Sequence, residues 1–152
     1  MKRLVATIAL FLSFIPAAFS AEDVYRACSN LVYGYAYHRD NFNAEEFSNL
    51  FTEDASLSVL GQNWVGRDNI RARIDSIREG NTGRHEMSTI FIEPIDDTHA
   101  TGVSYATIYS APPGENTVSG PAFIGEYHDE FVLTEEGWKI AKRTLKRRYI
   151  LE

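Results

Sequence analysis

The stretch RHEMSTIFIEPIDDTHATGVSY, residues 84–105, is where the chain changes character. Ahead of it apolar residues recur at three- and four-residue steps; from His85 onward Ile, Val, Phe, Tyr and Thr dominate, the composition of strands. It reads as strand, turn, strand: residues 85–93, a stop at Pro94 with an acidic turn, then 99–110. Gly83 just before it reads as a turn glycine. Strict alternation assigns His85, Met87, Thr89 and Phe91 to one face and Glu86, Ser88, Ile90 and Ile92 to the other. Two more strands follow at 122–133 and 138–149, separated by the turn TEEG. The longest loop, SAPPGENTVSGP, is marked by its prolines and glycines.

Working back toward the N-terminus, residues 22–39 have helical spacing, with Val24, Ala27, Cys28, Leu31, Val32 and Tyr35 along one side. A second, shorter helix is expected from Asn43, with Glu46 completing a capping box and Phe47, Leu50 and Phe51 as its apolar face. ASLSVLGQNWVG reads as a hairpin turning at Gly61. RDNIRARIDSIREG reads as a third helix with Ile70, Ile74 and Ile77 inward and Gly80 past its end. Helices first and meandering strands after give an α+β class, three helices packed on one face of a curved antiparallel sheet.

The first twenty residues stand apart. A basic start at Lys2 and Arg3, an apolar run from Leu4 to Ile15, and Ala18 and Ser20 ahead of Ala21 form the three-part pattern of a secretory signal peptide. The run is short of the roughly twenty apolar residues a membrane span needs. The expected mature protein is therefore residues 21–152, a single domain, secreted or periplasmic. Without Lys2 and Arg3 it carries 13 basic side chains against 21 acidic ones, a net charge of −8. That balance argues against nucleic acid or an anionic membrane as the main partner. A single cysteine, Cys28, excludes an internal disulfide and reads as a small buried residue on the first helix.

Four segments resemble the SnoaL-like proteins of the NTF2-like superfamily, in the order that family shows them. YAYHRDNFNAEEFSNLFTEDA (35–55) is similar to its opening, and GRDNIRARI (66–74) to the start of its third helix. RHEMSTIFIEPIDDTHATGVSY is similar to its Arg-His strand. EYHDEFVLTEEGWKIAKRTL (126–145) is similar to its closing Tyr-x-Asp-x-Phe and Gly-Trp-Lys-Ile strands. The resemblance implies a cone with the helices over a curved sheet and a homodimer formed through that sheet. The subgroup resembled most contains scytalone dehydratase and bile acid 7α-dehydratase, which use an Asp-His pair with tyrosines. By motif position Asp40, His85 and Tyr35 are the corresponding residues. Where scytalone dehydratase has a second histidine this chain has Ser110, and a further tyrosine there is Val59 here.

The resemblance implies a cofactor-free lyase or isomerase acting on a small apolar hydroxylated or carbonyl compound. Histidine suits such chemistry because its ordinary pKa of about 6.5 lets it take and return a proton near neutral pH. A carboxylate beside it would fix its tautomer. The residues alone leave a second reading open, in which His85 is a hydrogen-bonded strand residue, Asp40 a turn residue and Tyr35 a core tyrosine. The protein would then be a non-catalytic module binding an apolar ligand or a partner. Asp40 is an odd structural choice at a helix C-terminus, where the macrodipole disfavours a carboxylate. Of the other histidines, His38 falls in a last helical turn, His99 at a surface turn, and His128 on a strand of unassigned face. HE at 85–86 lacks the second histidine of a zinc motif, and no nucleotide or serine-hydrolase motif occurs. The run Lys142, Arg143, Lys146, Arg147, Arg148 reads as a solvated or subunit-facing strand edge.

Overall fold

The computed structural model describes residues 20–150; apart from Ser20, the signal-like segment lies outside them. The elements run α1 (Ala21–Asp40), α2 (Ala44–Ser48), β1 (Phe51–Val59), β2 (Gln62–Val65), α3 (Arg67–Ser76), β3 (Thr82–Pro94), β4 (His99–Ala111), β5 (Phe123–Thr134) and β6 (Gly137–Ile150). The strands form one sheet in the order β2-β1-β6-β5-β4-β3.

The sheet is mixed rather than antiparallel throughout. β3 to β6 form an antiparallel meander and β1–β2 an antiparallel hairpin, but β1 lies parallel to β6. A parallel neighbour needs a long crossover, and here α3 with the whole meander supplies it. The hairpin turns through Leu60 and Gly61, both at positive φ, the conformation that suits a two-residue turn between twisted strands.

α1 buries Val24, Cys28, Val32 and Tyr35 at helical spacing, as the pattern predicts. They pack with Phe47 of α2 and Ile70 and Ile74 of α3 over the inner face of the sheet, against residues such as Leu57, Phe131 and Ile140. Each fully buried apolar side chain of this size contributes about 1.5–3 kcal/mol. Cys28 is free and fully buried, and burial pushes its thiol up to about 12, which removes thiolate reactivity.

Several expectations shift. Asn43 stands at the start of α2 but its side chain caps nothing; its amide meets the His38 ring at 3.4 Å instead. Leu50 and Phe51 lie beyond α2, and Phe51 opens β1. Gly83 sits within β3, where a Cβ would come 2.9 Å from the Arg39 guanidinium, so it is a close-approach residue and not a turn.

The alternation of β3 also breaks. The pairing with β4 slips between Ser88 and Phe91, and Thr89 adopts φ 47°. This β-bulge reverses the faces from that point on. His85 and Met87 point inward as expected, but Ile90 and Ile92 then turn inward and Phe91 outward, where it is 63% exposed. A second slip, between Ile140 and Lys142 of β6 opposite Phe131 and Glu130, leaves Ala141 as an extra residue. It turns Arg143 and Leu145 into the interior and Lys142 and Lys146 out.

Candidate active site

Asp40 ends α1, and the loop to α2 leaves it facing the first half of β3. Both carboxylate oxygens are used on one residue. The His85 backbone N–H donates to Asp40 Oδ2 at 2.7 Å, and His85 Nδ1 lies 2.6 Å from Oδ1. The side chains are 7% and 4% exposed. An ionised carboxylate only accepts, so Nδ1 carries the proton and Nε2 keeps the lone pair. The carboxylate disfavoured by the helix dipole is thus held by two donors from one strand residue, 45 positions away in sequence.

Burial pulls the pKa of His85 below its ordinary value; Asp40 opposes the shift, and the charges of Arg39 and Arg143 add to it. The resting imidazole is neutral, the form that can accept a proton. Arg39 Nη1 approaches Asp40 Oδ1 at 3.9 Å while packing on Gly83, so this arginine neighbours the pair without competing for its short bonds.

Tyr35 is buried beside the pair, its ring edge-on to that of His85 with centroids 6.2 Å apart. It also packs on Phe47 and Tyr127 at 4.9 and 5.2 Å. It is a core tyrosine and a neighbour of His85 at once. Burial and the adjoining Tyr35 raise the Tyr127 phenol well above its usual range.

The interior holds polar residues the sequence reading did not select. Arg143, expected on a solvated or subunit-facing strand edge, is instead fully buried with its guanidinium 4.1 Å from the ring centres of both Tyr35 and Tyr127. Asp129, opposite it on β5, lies 3.3 Å from Nη1, and burial lifts its carboxyl to about 6. Neither side chain has a hydrogen bond of good geometry among the described residues, and Ser104 Oγ nearby on β4 is also unpartnered. The signal for Asp129 was present: Tyr-x-Asp-x-Phe places it between two inward aromatics. For Arg143 it was hidden by the bulge at Ala141.

The remaining candidates fall elsewhere. His128 is on the outer face of β5, 2.7 Å from Glu126, at a cavity of about 430 Å³ also lined by Phe91, Val103 and Lys142. His99 pairs with Asp96 at the exposed β3–β4 turn. Ser110 accepts from Asn81, and Val59 is core. Among the described residues no group of three or more His, Cys, Asp or Glu gathers as a metal site, and no helix is long and apolar enough to cross a membrane.

Comparison with known proteins follows the same outline. A SnoaL-like domain model matches residues 21–144. No curated protein sequence matches the chain. Among solved structures, a Novosphingobium aromaticivorans protein proposed to be a scytalone dehydratase is 26% identical, with TM-score 0.72 over 83% of this chain and 85% of that one. A Mycobacterium tuberculosis protein of unknown function, solved with an aspartate-to-asparagine substitution, is also 26% identical, with TM-score 0.72 over 83% and 77%. The type 2 hexachlorocyclohexane dehydrochlorinase LinA, 14% identical, shares the fold with TM-score 0.73 over 85% and 91%. An NTF2-like protein with a cystatin-like fold superposes as well. With a match that runs from the first residue of α1 to Thr144 and spans the elements bearing both Asp40 and His85, the chain belongs to the SnoaL-like family and has the NTF2-like cone fold.

Proposed function

We propose that the protein is a cofactor-independent lyase, a dehydratase in its simplest form, or an isomerase, acting on a small hydroxylated or carbonyl compound held in the cone. The observation that carries this is the buried His85–Asp40 pair, with one carboxylate fixing both the backbone and the ring of a neutral histidine. Nε2 takes a carbon-bound proton, and the electron pair left behind forms the new double bond as the C–O bond breaks. The imidazolium, stabilised by Asp40, returns the proton to the departing hydroxyl, which leaves as water. Tyr35 polarises the substrate oxygen. Arg143 supplies buried positive charge toward the oxygen on which negative charge develops. Two of the structural neighbours, a proposed dehydratase and a dehydrochlorinase, are elimination enzymes by name, which is consistent with this reading.

The test begins with thermal stabilisation by small aromatic, terpenoid and steroid alcohols and ketones. Each hit is then incubated in deuterated water, and loss of water or exchange of a carbon-bound proton is followed by NMR. Turnover or exchange that is lost in His85→Ala and Asp40→Asn supports the proposal. Rates equal to wild type in both variants would sink it, and stabilising ligands that never exchange would return the non-catalytic binding reading. Two further assignments belong to this proposal. Export removes residues 1–20, so the secreted chain should begin at Ala21; an intact Met1 or Lys2 on the exported protein would discard it. The outer sheet face pairs two copies, so Tyr105→Lys should turn a dimer into a monomer in sedimentation, and a wild-type monomer would rule the dimer out.

A further inference from the structure

The inward stripe of α3 reads Ile70, Arg73, Ile74, Ile77. Ile70 and Ile74 are fully buried and Ile77 is packed against the core. An arginine in the middle of an apolar helix stripe is unusual enough to need a partner, because buried polar groups are normally satisfied. Its neighbours in sequence all find carboxylates: Arg67 reaches Glu53, Arg71 reaches Glu45 and Arg78 reaches Asp75. Arg73 reaches none among the described residues. Its Nε and Nη1 are buried without a hydrogen-bond partner, while its guanidinium lies 4.7 Å from the centre of the Trp64 ring. The other interior cations also have nitrogens without a hydrogen bond, but each has a carboxylate within 4 Å, Arg143 that of Asp129 and Arg39 that of Asp40. Burial raises the phenol of Tyr127, the tyrosine that packs on Tyr35, and the Arg73 charge opposes this only slightly. One positive charge is therefore left without a carboxylate on the inward side of α3, beside an indole, with Nε and Nη1 unpaired among the described residues.

We propose that Arg73 recognises a carboxylate on the ligand of the cone, so that the preferred compound has an apolar body and one anionic end. This deepens the functional reading above and rests on the cone being its ligand site. Nothing in it depends on proton transfer by His85. A guanidinium binds a carboxylate through two parallel N–H donors, and the Trp64 ring 4.7 Å away restricts where that fork can move. The carboxylate would restore the pairing that the protein leaves open, and the apolar body would lie toward Tyr127 and the catalytic pair.

Matched probes that differ only in charge test this: benzoate against benzamide, and 2-naphthoate against 2-naphthamide, titrated by calorimetry and by tryptophan fluorescence. In the unaltered protein at least one carboxylate should bind about tenfold tighter than its amide, the size expected for hydrogen bonds to a charged group. Arg73→Gln should level the two, with its melting curve confirming that it folds. Should that variant unfold, Arg73→Lys, which keeps the charge and loses the fork, must weaken the carboxylate more than the amide. His85→Gln should keep the preference while losing proton exchange, which separates this proposal from the catalytic one. Equal binding of carboxylate and amide, binding of neither, or a preference that survives Arg73→Gln would overturn it.

Discussion

Two histidine–carboxylate pairs of nearly equal length sit on opposite faces of the same sheet. Inside, His85 lies 2.6 Å from Asp40; outside, His128 lies 2.7 Å from Glu126. The inner histidine side chain is 7% exposed and the outer 34%. Inside, burial dominates and pulls His85 down, toward the neutral base. Outside, the Arg148 and His128 hydrogen bonds dominate and hold Glu126 at about 2. Short distance alone therefore does not distinguish a buried pair from a surface one. The surroundings do, by selecting which partner is perturbed and in which direction.

The largest way to break this contrast lies with the inner face's second pair. Asp129→Ala strands the Arg143 cation without a counter-charge and should destabilise the fold by about 3–5 kcal/mol in urea unfolding. Next comes Asp40→Asn, which keeps the volume but removes the charge and exchanges one of the two accepting oxygens for an NH2 donor, so the His85 tautomer is no longer fixed. Proton exchange on any substrate found should fall by about 10² or more, with the Michaelis constant changing less. A third prediction uses pH. His85 has a folded pKa below its unfolded value of 6.5, so the unfolded state binds the extra proton between them. Its contribution is lost as pH falls from about 6.5. Glu126, near 2 when folded against 4.5 unfolded, contributes above 4.5 and loses it as pH falls toward 2. Asp129, raised when folded, opposes the His85 slope between 3.8 and about 6, so each variant must be read as a difference from wild type. His85→Gln should flatten the upper window and leave the lower one, and Glu126→Gln the reverse, in urea midpoints at pH 7.5, 5.5 and 3. The smallest effect is on the outer face at neutral pH. There Glu126→Gln should change stability by less than about 1 kcal/mol, because its partners His128 and Arg148 are 34% and 58% exposed and solvent screening reduces what the lowered Glu126 carboxyl contributes; a larger loss in the same urea measurement would erase the contrast.

The fold was readable wherever a single period ran unbroken. The stripe on α1, the hairpin at Gly61 and the meander follow from residue type and spacing. The Asp40–His85 pair came from motif position and not from periodicity, since nothing local in sequence ties a helix end to a strand 45 residues on. The rest of the interior was hidden by two extra residues. Thr89 and Ala141 carry no glycine or proline signature, yet each reverses the faces of its strand. Simple alternation therefore leaves Arg143 among solvated lysines and puts Phe91 inside. The mixed sheet was missed for a related reason: the direction of β6 beside β1 is set by counting the reversals of the whole chain. Arg73 was visible on its helical stripe, but the isoleucines around it made the stripe read as wholly apolar.

The bulge in β3 has the form of a one-letter frameshift. His85 and Met87 are read in one frame, and Ile90 and Ile92 in the other. A chain lacking Thr89 would pair with β4 in a single frame and still present the same four side chains to the cone. It would lose the local bend and twist that the extra residue introduces. The lining of the cone and its curvature are therefore written in different residues, and a relative could inherit the chemistry at one end of β3 while resizing the chamber by a single deletion.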